Sequence, residues 1–377
     1  MRQLLFWAIC LLSFSAFSQK ITDTIHSQKL DEDRVIQLSI PENYKKNPGK
    51  KYPLLVLLDG DYLFDAFNGA LSYGAYWDDL PEMIIVGINQ EGTRDEDCKI
   101  DPETGLPEGK GEKFFEFIGE VVASVEKQYR IAPFRMIAGH DVTAGFMNLY
   151  LYKDQPLFNA YISMSPELSL DMETRVPDRL ATIQTPLFYY HSTADGDMKK
   201  MADRIRTFDS NAKKISKSNL SYHFDEFKGA SHYSLVLHSI PSALYHFFAV
   251  YQPISTTEFN EKIVKLNSGY VDYLVQKYDM LEKVLGMKMQ IRVNDFKAIE
   301  AAILKNKKYE EFDKLSDLAR KSYPKAMLAD YQLGQMYEKQ GDYKKAAKYY
   351  QAAFQKEEIG DLTKDLMLEK ADEMKGM

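Results

Sequence analysis

From residue 33 to about 250, short apolar runs alternate with amphipathic stretches. Residues 35–40 alternate apolar and polar, with Ile36, Leu38 and Ile40 on one side, and predict a strand on a half-buried sheet. Residues 54–58 and 84–88 are continuous apolar runs bounded by turn residues, the pattern of buried parallel strands. Residues 113–129 carry Phe114, Phe117, Ile118, Val121, Val122 and Val125, a helical stripe. Further strands are expected at 136–138, 160–164, 187–190 and 222–227. This alternation predicts an α/β class: a mostly parallel central sheet with helices on both faces.

Past Pro253 the pattern changes to helical periodicity rich in Lys, Glu, Ala, Leu and Tyr. A boundary is expected at residues 252–253, with Thr257 as the N-cap of the first helix beyond it. Leu333, Gly334, Tyr337, Ala346, Tyr350 and Ala353 fall at the offsets of a tetratricopeptide repeat of period 34. Tyr309 and Ala319 stand one period before Tyr343 and Ala353, but Glu300 stands where Gly334 does. Residues 327–360 therefore read as a good repeat and 293–326 as a degenerate one. Such repeats offer a groove for a protein partner. Two repeats fall short of the three needed to bury a core alone, which favours a packing role.

The N-terminus reads as an export signal. Arg2 precedes an apolar run at residues 4–14, too short to span a bilayer, and Ala16-Phe17-Ser18 offers a cleavage site. The expected organisation is residues 1–18 as signal peptide, 19–252 as sheet domain and 253–377 as helical tail. The expected location is periplasmic or otherwise extracytoplasmic, with no transmembrane span after cleavage. Cys98 is then the one remaining cysteine, so no internal disulfide can form. A net charge of −7 leaves no basic footprint for nucleic acid. The seven His show no metal-ligand spacing, and neither metal nor cofactor is expected. Arg94-Asp95-Glu96-Asp97 reads as a solvated surface stretch.

Residues 135–146, RMIAGHDVTAGF, carry the candidate chemistry. A short strand runs into Gly139-His140 and then into small residues opening a helix, the form of a nucleophile elbow. The central residue of such an elbow is usually Ser; here it is Asp141. Thr143 stands where a smaller residue is usual, and His140 is placed to hydrogen-bond beneath the turn.

Residues 33–250 resemble the putative-esterase family of α/β-hydrolases, the group that includes esterase D-like and enterochelin-esterase-like proteins. The matching stretches are residues 52–61 (YPLLVLLDGD), 84–88 (IIVGI), 93–95 (TRD), 129–133 (YRIAP), 137–140 (IAGH) and 157–166 (LFNAYISMSP), with the His232 region coming after them in order. The resemblance implies the α/β-hydrolase fold. It also implies a nucleophile, an acid after a later strand and a His near the end of the sheet domain. Asp141, Asp195 and His232 take these places, with Asp197 as the alternative acid. The amides of Val142 and Asp61 are the implied oxyanion donors, and an ester-like small molecule is the implied ligand.

Three readings of Asp141 stay open. The chain is a non-catalytic or weakly active relative that binds a ligand or partner. Or Asp141 attacks an alkyl carbon, as the elbow Asp of haloalkane dehalogenases and epoxide hydrolases does, with His232 and Asp195 completing the set. Or a water activated by Asp141 or His232 gives residual carboxylesterase activity. Ester cleavage with Asp141 as covalent nucleophile is disfavoured, because it would form a mixed anhydride and set a negative charge beside the oxyanion site.

Overall fold

The computed structural model describes residues 19–377, and the expected signal peptide lies outside them. The described chain divides into two compact units at the Ala249–Val250 step. Among the described residues, no helix is long and apolar enough to cross a membrane.

The first unit is built on eight strands: β1 (Gln19–Ser27), β2 (Glu32–Ile40), β3 (Tyr52–Leu57), β4 (Ile84–Ile88), β5 (Ile131–His140), β6 (Ala160–Met164), β7 (Leu187–Gly196) and β8 (Leu220–Ser231). Their order in the sheet is β1-β2-β4-β3-β5-β6-β7-β8. β2 runs antiparallel to β1 and β4, and every pair from β4 to β8 is parallel. β3 and β4 are buried at every position, as strands covered on both faces must be.

The intervening helices are α1 (Gly60–Tyr76), α2 (Arg94–Asp97), α3 (Lys110–Gln128), α4 (Val142–Phe146), α5 (Met172–Thr182), α6 (Lys199–Ala212) and α7 (Leu235–Phe247). They cover both faces of the sheet. Tyr189 of β7 stacks on Phe208 of α6, while its neighbour Phe188 points the other way and meets Phe247 of α7. The stripe predicted at 113–129 is the buried side of α3.

This is the mostly parallel, helix-flanked sheet that the alternation predicts. The strand β1 is not among the predicted ones. It is an edge strand whose apolar residues are only Ile21 and Ile25, both partly buried, so its apolar signal is faint.

The second unit is all helical: α8 (Thr256–Glu258), α9 (Tyr270–Leu285), α10 (Val293–Lys305), α11 (Glu311–Ser322), α12 (Leu328–Gln340), α13 (Tyr343–Phe354) and α14 (Lys364–Lys375). Ser255 rather than Thr257 caps α8, its side chain accepting from the Glu258 amide at 3.1 Å. A cap must lie just outside the helix, and Thr257 is already inside it. Gly334 lets α12 approach α13: a Cβ there would lie 2.5 Å from the Tyr350 ring. Glu300 is buried and takes a hydrogen bond from Gln332 Nε2 at 2.6 Å.

Candidate active site

Parallel strands all end on one edge of the sheet, and the turns after them can converge there. Asp59 comes after β3, Arg94 opens α2 after β4, and Asp141 comes after β5. Ser165, Asp197 and His232 come after β6, β7 and β8.

Asp141 has φ 60° and ψ −118°, a region that a side chain occupies only under constraint. Its backbone is tied on both sides. Its amide donates to the Met164 carbonyl at 3.0 Å, and its carbonyl accepts from the Gly145 and Glu167 amides at 3.1 and 2.9 Å. Gly139 and Gly145 make the turn possible. A Cβ on Gly139 would lie 2.7 Å from Thr143 Oγ1, and one on Gly145 would lie 1.8 Å from the Glu167 carbonyl oxygen. Thr143 fits because it is fully buried and its hydroxyl donates to Asp59 Oδ2 at 2.6 Å.

The imidazole of His232 faces this elbow. Its Nε2 lies 3.9 Å from Asp141 Oδ1, and its Nδ1–H donates to Asp197 Oδ1 at 2.7 Å. Asp195, the acid preferred from sequence, does not reach the imidazole. It is exposed and accepts from the Gly229 amide at 2.9 Å. The cause is local: the β7–β8 register shifts between Ala194 and Gly196, and such an irregularity re-aims the chain beyond it. Asp197, the alternative, is buried and also accepts from Thr193 Oγ1 at 2.6 Å, the Ala194 amide at 2.9 Å and the Ser165 hydroxyl.

These contacts set the protonation states. Burial alone would raise the Asp197 carboxyl, but its hydrogen bonds from His232, Ser165, Thr193 and Ala194 overcome that and pull it to about 2. The Asp197 hydrogen bond in turn raises the His232 imidazole above its ordinary 6.5, helped by the charges of Asp197 and Asp141. His232 thus adds stability that is full below pH 6.5 and is lost as pH rises through its higher folded value. Asp197 adds stability that is full above 3.8 and is lost as pH falls towards 2. Replacing Asp197 with Asn should therefore move the His232 titration midpoint down. Proton NMR of the ring Hε1 reads it directly, and an unmoved midpoint would contradict the assignment.

His140 is neutral: burial and the neighbouring His232 push it down to about 4. Its Nε2–H donates to the His232 carbonyl at 3.0 Å, so it fixes the His232 loop as well as the end of β5. Its Nδ1 faces the Tyr62 hydroxyl at 3.1 Å.

Arg94 is the residue that sequence reasoning missed. Its Nε donates to Asp59 Oδ1 at 2.7 Å, its Nη2 to the His140 carbonyl at 2.7 Å, and its Nη1 lies 3.2 Å from Asp141 Oδ2. The stretch read as solvated surface is thus partly internal, because Asp97 is also fully buried, against Arg34. Its place after a parallel strand, at the edge where the elbow sits, is the signal that could have found it. Asp59 is fully buried under the same guanidinium, and burial raises its carboxyl against the pull of Arg94, Thr143 and Tyr62.

The two expected oxyanion donors open helices. Val142 is the first residue of α4 and Asp61 lies in the first turn of α1, where amides lack intrahelical acceptors. Gly60 cannot carry a side chain there, since a Cβ would lie 2.6 Å from the Gly87 carbonyl carbon.

Residues 27–186 match the family described as "Putative esterase". A crystal structure of an uncharacterised protein from Capnocytophaga ochracea is 30% identical, with 95% of this chain and all of that one covered and a TM-score of 0.85. An IroE-like serine hydrolase from Shewanella oneidensis is 20% identical over 80% of this chain and 99% of its own, with a TM-score of 0.60. The BES protein from Bacillus cereus is 21% identical over 61% and 95%, with a TM-score of 0.53. No curated protein matches the chain.

Proposed function

We propose that this protein, whose residues 27–186 match the putative esterase family and whose sheet domain has an esterase-family α/β-hydrolase fold, is an exported member that binds a small ester-like ligand at the elbow without an acyl-enzyme cycle. The observation that carries this is the occupant of the elbow. Asp141 sits at the strained tip, with Arg94 on one carboxylate oxygen and His232 facing the other.

An acyl-enzyme cycle needs a hydroxyl or thiol at that tip. The nearby hydroxyls of Thr143 and Ser165 are buried and donate to Asp59 and Asp197. A carboxylate held by a cation is a poor nucleophile, and its charge would oppose the oxyanion. What remains is a polar cradle of acceptor and donor groups, flanked by the exposed rings of Tyr62 and Tyr233. On this reading the helical tail, with its repeat-like residues 293–360, packs as a structural unit. The residue pattern and the close Gly334–Tyr350 contact support that role.

Wild-type turnover of p-nitrophenyl acetate should stay near the buffer rate and be unchanged by His232→Ala. Robust turnover lost on His232→Ala would overturn the proposal.

One observation favours a second reading. In space the His232 imidazole lies between the Asp141 and Asp197 carboxylates, as an Asp-nucleophile hydrolase requires. That reading calls for an alkyl-ester adduct on Asp141, accumulating in His232→Ala after incubation with 1-bromobutane and styrene oxide. Intact mass detects it, and an unmodified chain with both reagents counts against covalent chemistry.

A further inference from the structure

The elbow occupies the carboxyl edge of the sheet. A different feature lies at the far end of the same strands. Ser39 of β2 pairs with Ile85, near the start of β4, and beside it a cavity of about 380 Å³ opens against α1. Leu71, Met83 and Ile85 are its buried apolar residues. Glu42, Asn43, Asn68, Ser72 and Glu82 give it polar walls.

Several of these polar groups are oriented by neighbours. The Ser39 hydroxyl donates to Asn68 Oδ1 at 2.8 Å, which leaves the Asn68 amide NH2 as a donor. Lys50 lies 2.6 Å from one Glu82 oxygen and balances its charge.

The second observation is independent. Tyr76 lines the cavity and is 80% exposed. Tyr73 and Trp77, on and just beyond the last turn of α1, are 67% and 60% exposed. Positions 73, 76 and 77 share one side of a helix. Trp77 meets Tyr76 edge-on, with centroids 5.1 Å apart. Large rings grouped on a surface mark interaction sites more often than chance exposure does.

We propose that this cleft is a second binding site, separate from the elbow, for a neutral oligosaccharide. A sugar ring offers apolar C–H faces to aromatic rings and a belt of hydroxyls that need both donors and acceptors. The cleft supplies both along one wall. A purely apolar ligand would strip water from Asn68, Ser72 and Glu42 without replacing their hydrogen bonds, which disfavours it. An anion would face the Glu42 carboxylate, while Lys50 is already engaged by Glu82. The volume lies at the lower end of the ~300–1,000 Å³ typical of small-molecule sites, so one end of a saccharide enters while the rest lies along the exposed rings.

Trp7 and Trp77 are the two tryptophans of the chain. In the full chain carrying Trp7→Phe, tryptophan emission therefore reports this rim. Titration with xylohexaose, chitohexaose and maltohexaose should give a saturable emission change with at least one of them. Tyr76→Ala should weaken that affinity at least tenfold and leave the thermal midpoint unchanged, because the ring is largely in solvent. Three outcomes overturn the proposal. They are no saturable change with any of the three sugars, an affinity indifferent to Tyr76→Ala, or a response to tetramethylammonium chloride in place of sugar.

Discussion

Replacing Asp141 with Ser is expected to raise p-nitrophenyl acetate hydrolysis about 10²-fold over the wild-type protein, a change of about 2.7 kcal/mol in barrier. The partners of a Ser nucleophile are already in place. Asp197 holds His232 by Nδ1, and Nε2 points at the elbow. The backbone strain at residue 141 is carried by hydrogen bonds to Met164, Gly145 and Glu167, none of which involves the side chain. Arg94 keeps Asp59 and the His140 carbonyl when Asp141 is removed, so the cation stays where it is.

The gain stops well short of a full triad for two reasons. A Ser Oγ sits one bond closer to the backbone than the carboxylate oxygen now 3.9 Å from Nε2. Thr143 is also fixed to Asp59 rather than making room. The gain should vanish in the Asp141→Ser/His232→Ala double variant. Asp141→Ser activity no higher than wild type would show that the elbow residue is not what limits the chemistry.

Asp97→Ala is expected to cost about 3 kcal/mol, the lower end of the range for breaking a buried ion pair, because it removes the bidentate acid on the buried Arg34 guanidinium and leaves only Glu32, 2.6 Å from Nε, against its charge. Arg34 is 5% exposed and Asp97 is fully buried, joined through both guanidinium nitrogens Nη1 and Nη2. For a unit of this size, that corresponds to a fall of roughly 10 °C in melting temperature by calorimetry. Arg34→Met/Asp97→Leu, which removes both charges together, should lose much less. A single variant melting within 2 °C of wild type would mean that Glu32 and water alone hold the Arg34 charge.

The fold was readable because buried parallel strands leave a strong local signal. β3, β4, β6 and the ends of β5 and β7 are short apolar runs, and each lies where the run does. The elbow was readable for a similar reason: strand, Gly, turn and helix are contiguous.

What sequence could not resolve was set by distant partners or by single-residue geometry. Two carboxylates two positions apart in a loop look alike until the irregular β7–β8 register sends Asp195 to solvent and Asp197 to the imidazole. Arg94 sits in a charged tetrapeptide that composition reads as surface. Its buried surroundings come from Asp59, His140 and Asp141, residues 35 to 47 positions away. The same holds for Asp97, whose partner Arg34 lies 63 positions earlier.

The central claim is that a carboxylate has displaced the nucleophile and that no other hydroxyl takes its part. Treatment with a fluorophosphonate, then intact mass and peptide mapping, tests it most directly. The account predicts no adduct on the wild-type chain and a single phosphonyl adduct at position 141 in Asp141→Ser. A His232-dependent adduct on a Ser or Thr of the wild-type protein would contradict it.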